Sequence, residues 1–177
     1  MTALPTTLVL GGARSGKSLF AEQLIHHSHL TRIYLATATA GDDEMSARIR
    51  QHKSRRGDGW TTIEEPLALV DALTRESAHG RAVLVDCLTL WLSNLMFAGR
   101  DPEIEARRLT RFLGVARYPI VFVSNEVGMG LVPETPLGRD FRDAQGRLNQ
   151  IVAAAVPQVA FIAAGLPLWL KRPSEEF

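Results

Sequence analysis

Five short apolar runs recur along the chain, and segments in which apolar residues follow helical spacing separate them. Each run is nearly continuous in Val, Ile, Leu, Ala or Phe, which is typical of parallel strands buried on both faces. The runs cover residues 7–10, 32–36, 82–86, 120–124 and 159–163. The predicted helices cover residues 19–28, 42–53, 66–77, 88–98, 102–116 and 137–155.

This alternation of strands and helices predicts an α/β fold with three layers and a mostly parallel central sheet. Residues 60–63 form a weaker run that predicts an edge strand, and residues 166–170 predict a last, antiparallel edge strand. We therefore expect a single domain over residues 1–170 and a flexible tail over residues 171–177.

A glycine-rich segment joins the first strand to the first helix. It reads Gly11-Gly12-Ala13-Arg14-Ser15-Gly16-Lys17-Ser18 and fits the pattern G-x-x-x-x-G-K-[S/T]. Strand, loop and helix together predict a P-loop NTPase-like fold, in which backbone N–H groups and a helix N-terminus cradle phosphate. Lys17 would reach the β- and γ-phosphates and Ser18 would bind Mg²⁺. The alternative is an ordinary glycine turn before a helix.

Polar residues follow two of the later strands. Asp86 ends the strand at 82–86, where a carboxylate would lie near Ser18 and the metal; its alternative role is the N-cap of the next helix. Residues 124–130, Ser-Asn-Glu-Val-Gly-Met-Gly, follow the fourth strand. Ligands of open α/β sheets bind at the carboxyl ends of strands, so this segment predicts a binding loop.

The predicted helix 42–53 begins with three acidic residues and ends with basic ones, in agreement with the helix dipole. Met45, Ile49 and His52 share one face, so His52 alone would be interpreted as a histidine at the edge of the core. A compact basic group follows it, formed by Lys53, Ser54, Arg55 and Arg56. This group is either a solvated turn or a contact for a triphosphate.

Composition narrows the classes of partner. The net charge is +1, so no global field favours nucleic acid or an anionic membrane. Cys87 is the one cysteine, which excludes a disulfide framework and suits a reducing cytoplasm. The apolar runs are too short to span a membrane. His26, His27 and His29 lack other ligands at suitable spacing, so we interpret them as a helix C-terminal cap.

Combined, these motifs resemble the bifunctional adenosylcobinamide kinase / adenosylcobinamide-phosphate guanylyltransferase family of cobalamin biosynthesis. The resemblance extends over essentially the whole chain. The Asn-Glu-Val-Gly-Met-Gly segment and the acidic helix leading to His52 are its most specific parts. The matching segments are 11–18, 34–38, 42–45, 48–49, 52–53, 125–130, 132–134, 141–143 and 146–150.

The resemblance implies two reactions. The first phosphorylates the aminopropanol hydroxyl of adenosylcobinamide with ATP or GTP. The second transfers GMP from GTP to that phosphate through a GMP-histidine intermediate, giving adenosylcobinamide-GDP and pyrophosphate. The resemblance implies His52 as the nucleophile. Lys17, which the glycine-rich loop places at the phosphates, is the second expected catalytic residue. It also implies a homotrimer and guanine-nucleotide contacts at Ala36, Thr37, Ala38, Lys53, Ser54, Arg55, Arg56, Glu64 and Asp86.

Two other functions fit parts of the sequence. A small-molecule kinase with one activity would need Lys17, Ser18 and Asp86 but not His52. A nucleotide-dependent switch would use the phosphate loop to move a surface and would turn over slowly. The resemblance favours instead a bifunctional, cytoplasmic enzyme that uses Mg²⁺ with GTP and ATP and acts on a corrinoid. We expect this enzyme to bind neither nucleic acid nor a membrane.

Overall fold

The described part of the chain follows the predicted order of strands and helices. The computed structural model describes residues 4–38 and 57–172. Within them the elements are β1 Thr7–Gly11, α1 Lys17–His27, β2 Thr31–Ala36, β3 Trp60–Glu64, α2 Leu69–Glu76, β4 Arg81–Asp86, α3 Leu88–Phe97, α4 Pro102–Leu113, β5 Ile120–Asn125, α5 Pro136–Ala155, β6 Gln158–Ala163 and β7 Leu166–Lys171. The predicted helix 42–53 lies outside the described residues.

The strands form one sheet in the order β3-β2-β4-β5-β1-β6-β7. All neighbouring pairs are parallel except β6 and β7, which are antiparallel. The predicted mostly parallel sheet with an antiparallel C-terminal edge is therefore confirmed. The chain order and the spatial order differ, because β4 and β5 lie between β2 and β1.

Helices cover both faces of this sheet. Leu8, Val83 and Phe122 point to the face covered by α2, α3, α4 and α5, where Trp91 is fully buried. Val9 points to the opposite face and packs with Ala21 of α1. Side chains of one strand alternate between faces, so each central strand needs apolar residues at nearly every position. This explains why the central strands are continuous apolar runs and not alternating ones.

Element boundaries differ from the prediction where local hydrogen bonds compete with the helix. The predicted helix 66–77 begins only at Leu69, because the Glu65 carboxylate accepts the N–H groups of Leu67 and Ala68 at 3.1 and 2.8 Å. Strand β7 extends to Lys171, which pairs with Val159 although the sequence assigned it to a flexible tail. Residues 173–177 of that tail lie outside the described part.

The turn between β6 and β7 lies against the glycine-rich loop. Ala164 and Gly165 have φ angles of 51° and 79°, as in the two-residue turns that connect twisted antiparallel strands. The N–H of Gly165 donates to the carbonyl of Ser15 at 2.8 Å. The antiparallel edge therefore supports the loop that the sequence assigned to phosphate.

Candidate active site

The glycine-rich loop depends on two glycines. A Cβ on Gly11 would lie 2.5 Å from Ser15 Oγ and 2.6 Å from the carbonyl oxygen of Ile162, so no other residue fits there. Gly16 has φ +97°, a conformation that L side chains rarely adopt, and is the N-cap of α1. The chain can thus curl tightly and enter the helix with its first N–H groups lacking partners within the helix, which is the arrangement that binds phosphate.

Lys17 extends into this loop from the first turn of α1. Its side chain is buried, and Nζ donates to the carbonyl of Gly12 at 2.8 Å. Burial lowers the pKa of Lys17 below its ordinary value, while the negative charge of Asp86 acts in the opposite direction. An ammonium group that is shielded from solvent in this way binds an anion strongly, because little water screens the attraction between the charges.

Asp86 lies at the carboxyl end of β4 and is half-buried. Its Oδ2 accepts the phenolic O–H of Tyr34 at 3.0 Å, and no hydrogen bond from residues 4–38 or 57–172 occupies Oδ1. The alternative N-cap role is wrong: Cys87 is the N-cap of α3, and no side chain makes a capping hydrogen bond there. The Asp86 carboxylate therefore does not cap α3.

The Ser18 hydroxyl and the Asp86 carboxylate form an oxygen donor set of the kind that Mg²⁺ prefers. Ser18 follows Lys17 in α1 and is half-buried. Strand β5 separates β4, which ends at Asp86, from β1, which leads through the glycine-rich loop to Ser18. These residues fit the predicted metal. The described residues hold no cluster of three or more His, Cys, Asp or Glu side chains that could bind a metal by itself.

The other predicted nucleotide contacts lie at the same edge of the sheet. Ala36 pairs with Glu64 on one side and with Asp86 on the other, so three neighbouring strands end together. Glu64 is exposed, and Ala36 and Ala38 are half-buried. With about 4.8 Å between strands, Glu64 of β3 lies about 19 Å across the sheet from β1. A nucleotide spanning this edge would have its phosphates at β1 and its base near β2 and β3.

Thr37 differs from the other predicted nucleotide contacts because its hydroxyl already makes two hydrogen bonds within the protein. It is fully buried, donates to the carbonyl of Cys87 at 2.7 Å and accepts the N–H of Cys87 at 2.9 Å. Its own carbonyl accepts an N–H of Asn94 at 2.8 Å. These contacts fasten the end of β2 to the start of α3. Burial, with Asp86 second, raises the pKa of Cys87 to about 12, so the thiol stays neutral and inert.

Two further groups of predicted residues remain. His52, Lys53, Ser54, Arg55 and Arg56 lie outside the described residues, so their roles remain predictions. His26 and His27 lie in the last turn of α1, where His27 Nδ1 is 2.6 Å from the carbonyl of Gln23. That position agrees with the predicted role at a helix C-terminus.

Several residues that shape the edge escaped the sequence analysis. Tyr34 was predicted as part of a strand and of a segment that resembles the family, but with no role of its own. Asn94, which also donates to the carbonyl of Pro66 at 3.1 Å, was predicted only as part of a helix. Gln145 and Asn149 did carry a signal. They lie four residues apart among Phe141, Leu148 and Val152, so two amides interrupt an otherwise apolar helix face.

Comparison with known proteins decides the family. The family model described as cobinamide kinase / cobinamide phosphate guanyltransferase matches residues 7–170. The chain belongs to this family. The predicted family and the predicted enzyme, a kinase and guanylyltransferase, are thereby confirmed.

Two curated relatives align with this chain over nearly their whole length. The bifunctional adenosylcobalamin biosynthesis protein CobP of Pseudomonas aeruginosa is 48% identical over 166 residues, which cover 93% of this chain and 96% of the relative. The bifunctional adenosylcobalamin biosynthesis protein CobU of Escherichia coli is 39% identical over 179 residues, covering 93% and 98%. The chain is therefore similar to both relatives in extent as well as in sequence.

Solved structures with little sequence identity share the fold. The flagellar accessory protein FlaH of Methanocaldococcus jannaschii is 11% identical, with a TM-score of 0.57 over 98% of this chain and 80% of that one. Together with the loop geometry, this likeness confirms the P-loop NTPase-like fold. Within the described ranges, none of the helices combines the length and hydropathy needed to cross a membrane.

Proposed function

We propose that this sheet edge holds the triphosphate for both reactions of the family, phosphorylation of adenosylcobinamide and transfer of GMP to the resulting phosphate. The observation that carries the proposal is the convergence of Lys17, Ser18 and Asp86 at the carboxyl ends of β1 and β4. Ligands of open parallel sheets bind in this position. The match of the family model over residues 7–170 supports both activities in one chain.

In the kinase step, the aminopropanol hydroxyl of adenosylcobinamide attacks the γ-phosphorus of ATP or GTP. The bond to the β,γ-bridging oxygen breaks, the nucleoside diphosphate leaves, and the hydroxyl proton passes to solvent. Lys17 neutralises charge on the transferring group, and the N–H groups at the start of α1 hold the phosphate oxygens. Ser18 and Asp86 would hold Mg²⁺, which when bound neutralises charge on the β- and γ-phosphate oxygens.

In the guanylyl step, a neutral ring nitrogen of His52 attacks the α-phosphorus of GTP and pyrophosphate leaves. A phosphate oxygen of adenosylcobinamide-phosphate then attacks the same phosphorus, so the phosphorus–nitrogen bond breaks and the histidine is restored. The covalent intermediate divides one difficult transfer into two easier ones. Lys53, Arg55 and Arg56 would offset charge on the departing pyrophosphate. The guanine would lie near Ala36, Ala38 and Glu64.

Labelled GTP tests this assignment against its alternatives. With adenosylcobinamide present, label at the γ-phosphate should enter adenosylcobinamide-phosphate. Label at the α-phosphate should appear on the protein as an acid-labile, base-stable adduct and then in adenosylcobinamide-GDP. A kinase with one activity would transfer only the γ-label, and a nucleotide switch would transfer neither. The homotrimer, the Mg²⁺ requirement and the cytoplasmic location remain predictions of this proposal.

Asp86→Asn should act through the metal. The amide keeps the shape of the side chain but removes the negative charge, so the Mg²⁺ concentration for half-maximal kinase activity should rise about tenfold or more. Tyr34→Phe removes the phenolic hydroxyl and with it the hydrogen bond to Oδ2, and we expect a smaller shift in the same direction. Titrating kinase activity with Mg²⁺ measures both effects.

Glu76→Gln is the matched control. Glu76 ends α2, and its carboxylate lies 3.1 Å from the guanidinium of Arg81 at the start of β4, which is the opposite end of that strand from Asp86. It should leave the Mg²⁺ dependence of the kinase unchanged. A fall in melting temperature for Asp86→Asn with an unchanged Mg²⁺ titration would contradict the metal role.

A further inference from the structure

Strand β5 continues beyond the end of its neighbour β4. The last pair between them joins Asp86 and Val123, because the chain turns away at Cys87 to begin α3. On the other side, β5 remains paired with β1 as far as Asn125, which lies opposite Gly11. The backbone of Asn125 thus has a strand neighbour on the side of the phosphate loop and none on the side of β4.

Two side chains take the place of the missing strand. The N–H of Asn125 donates to Thr89 Oγ1 at 2.8 Å, and its carbonyl accepts Asn149 Nδ2 at 3.0 Å. The next N–H, from Glu126, points to the opposite side and donates to the carbonyl of Gly11 at 3.0 Å. The end of β5 is therefore fixed from both sides, and one of its contacts is the first residue of the phosphate loop.

A buried polar network orients the Asn149 amide. Its Oδ1 accepts the Ser124 hydroxyl at 2.7 Å and Gln145 Nε2 at 2.9 Å, and Gln145 Nε2 also lies 3.0 Å from Ser124 Oγ. Since both donors select Oδ1, Nδ2 must face the Asn125 carbonyl. Ser124 and Gln145 are fully buried, and Asn149 is nearly so. Burying this many polar groups is costly compared with apolar packing, which suggests that the network is kept for the position it enforces.

We propose that Thr89 and Asn149 are positioning residues for phosphoryl transfer, and that they act through the Asn125–Glu126 backbone on the entry to the phosphate loop. This inference rests on the proposed function for its catalytic readout. Thr89 lies in the first turn of α3, the helix that follows Asp86, so its contact also relates the end of β5 to the end of β4. Loss of either side chain should let the loop entry move relative to Asp86 while the fold persists.

Thr89→Val tests the first contact with little change of shape. We expect kcat for adenosylcobinamide phosphorylation to fall about tenfold or more, because small misplacements at a reacting centre can cost up to about 10²-fold. The KM for nucleotide should change by less than about threefold, since the substitution removes no group that binds phosphate. Thr89→Ser, which keeps the hydroxyl, should restore kcat to within about threefold of the wild-type value.

Asn149→Asp tests the second contact. It places a carboxylate oxygen opposite the Asn125 carbonyl, where the amide donated, and should lower kcat in the same way as Thr89→Val. Gln150→Glu is the matched control, because it makes the same chemical change at the next residue of α5, which is exposed. It should leave kcat and KM unchanged.

Hydrogen–deuterium exchange gives a readout that does not depend on turnover. Thr89→Val should accelerate exchange at the Glu126 N–H and in the phosphate loop at residues 11–18, and Thr89→Ser should not. Folded Thr89→Val and Asn149→Asp proteins with wild-type kcat, or with unchanged exchange in both segments, would overturn the inference. Absence of adenosylcobinamide-phosphate formation by the wild-type enzyme, with these exchange changes still present in Thr89→Val, would instead refute the proposed function.

Discussion

Lys17→Ala should lower the rates of both reactions by about 10²-fold or more, the usual cost of losing one preorganised electrostatic contact. The ammonium group is buried inside the glycine-rich loop, so water cannot replace its charge effectively. Both reactions use a triphosphate at this place in our proposal. The measurement is a pair of assays on one purified variant, adenosylcobinamide phosphorylation and GMP transfer to adenosylcobinamide-phosphate.

Lys171→Ala serves as the control for this variant. Lys171 lies at the end of β7, and its Nζ donates to the carbonyls of Ala153 and Ala154, both at 3.1 Å. Its loss should leave both rates unchanged. Near-normal turnover of Lys17→Ala in both assays would mean that the glycine-rich loop does not hold the reacting triphosphate.

His52→Asn should separate the two reactions. Asparagine retains polarity and approximate size but cannot form a stable phosphoramidate, so guanylyl transfer and labelling of the protein by α-labelled GTP should disappear. Phosphorylation of adenosylcobinamide should persist to a measurable degree, because direct transfer of a γ-phosphoryl group needs no covalent enzyme intermediate. Both assays are made on the same preparation, with circular dichroism to verify folding.

His79→Asn is the matched histidine control. His79 is exposed and makes an edge-to-face contact with Tyr118, with ring centroids 6.4 Å apart. It should keep both activities. Retained labelling of His52→Asn would assign the nucleophile to another histidine, His26, His27 or His29 before others. Loss of both activities in a folded His52→Asn protein would show that this residue also serves the kinase step.

Local features of this protein could be predicted from sequence. The strand β1, the phosphate loop and the helix α1 are contiguous, and the glycines at 11 and 16 are required by the loop itself. The buried central strands were also predictable, because a strand covered on both faces must be apolar along its length. Asp86 could be placed at the end of β4 because it is the polar residue that ends such an apolar run.

Contacts between distant segments could not be predicted in this way. Periodicity shows which residues of a helix are apolar but not which strand lies beneath them. The sequence pattern therefore did not predict the hydrogen bond between Asn149 and Asn125. It did not predict the hydrogen bond between Tyr34 and Asp86 either. The order of strands in the sheet decides these pairs, and that order depends on how the whole chain packs.

The central position of β1 determines when the nucleotide site can form during synthesis. Thr7 of β1 pairs with Val121 of β5 and with Gln158 of β6, so both neighbours of this strand lie more than a hundred residues later in the chain. Closing loops of that length is slow. A nascent chain that has emerged only as far as β4 exposes β1 with two unpaired edges, a state that favours aggregation or capture by chaperones. Nucleotide can stabilise this enzyme only after β6 has been made.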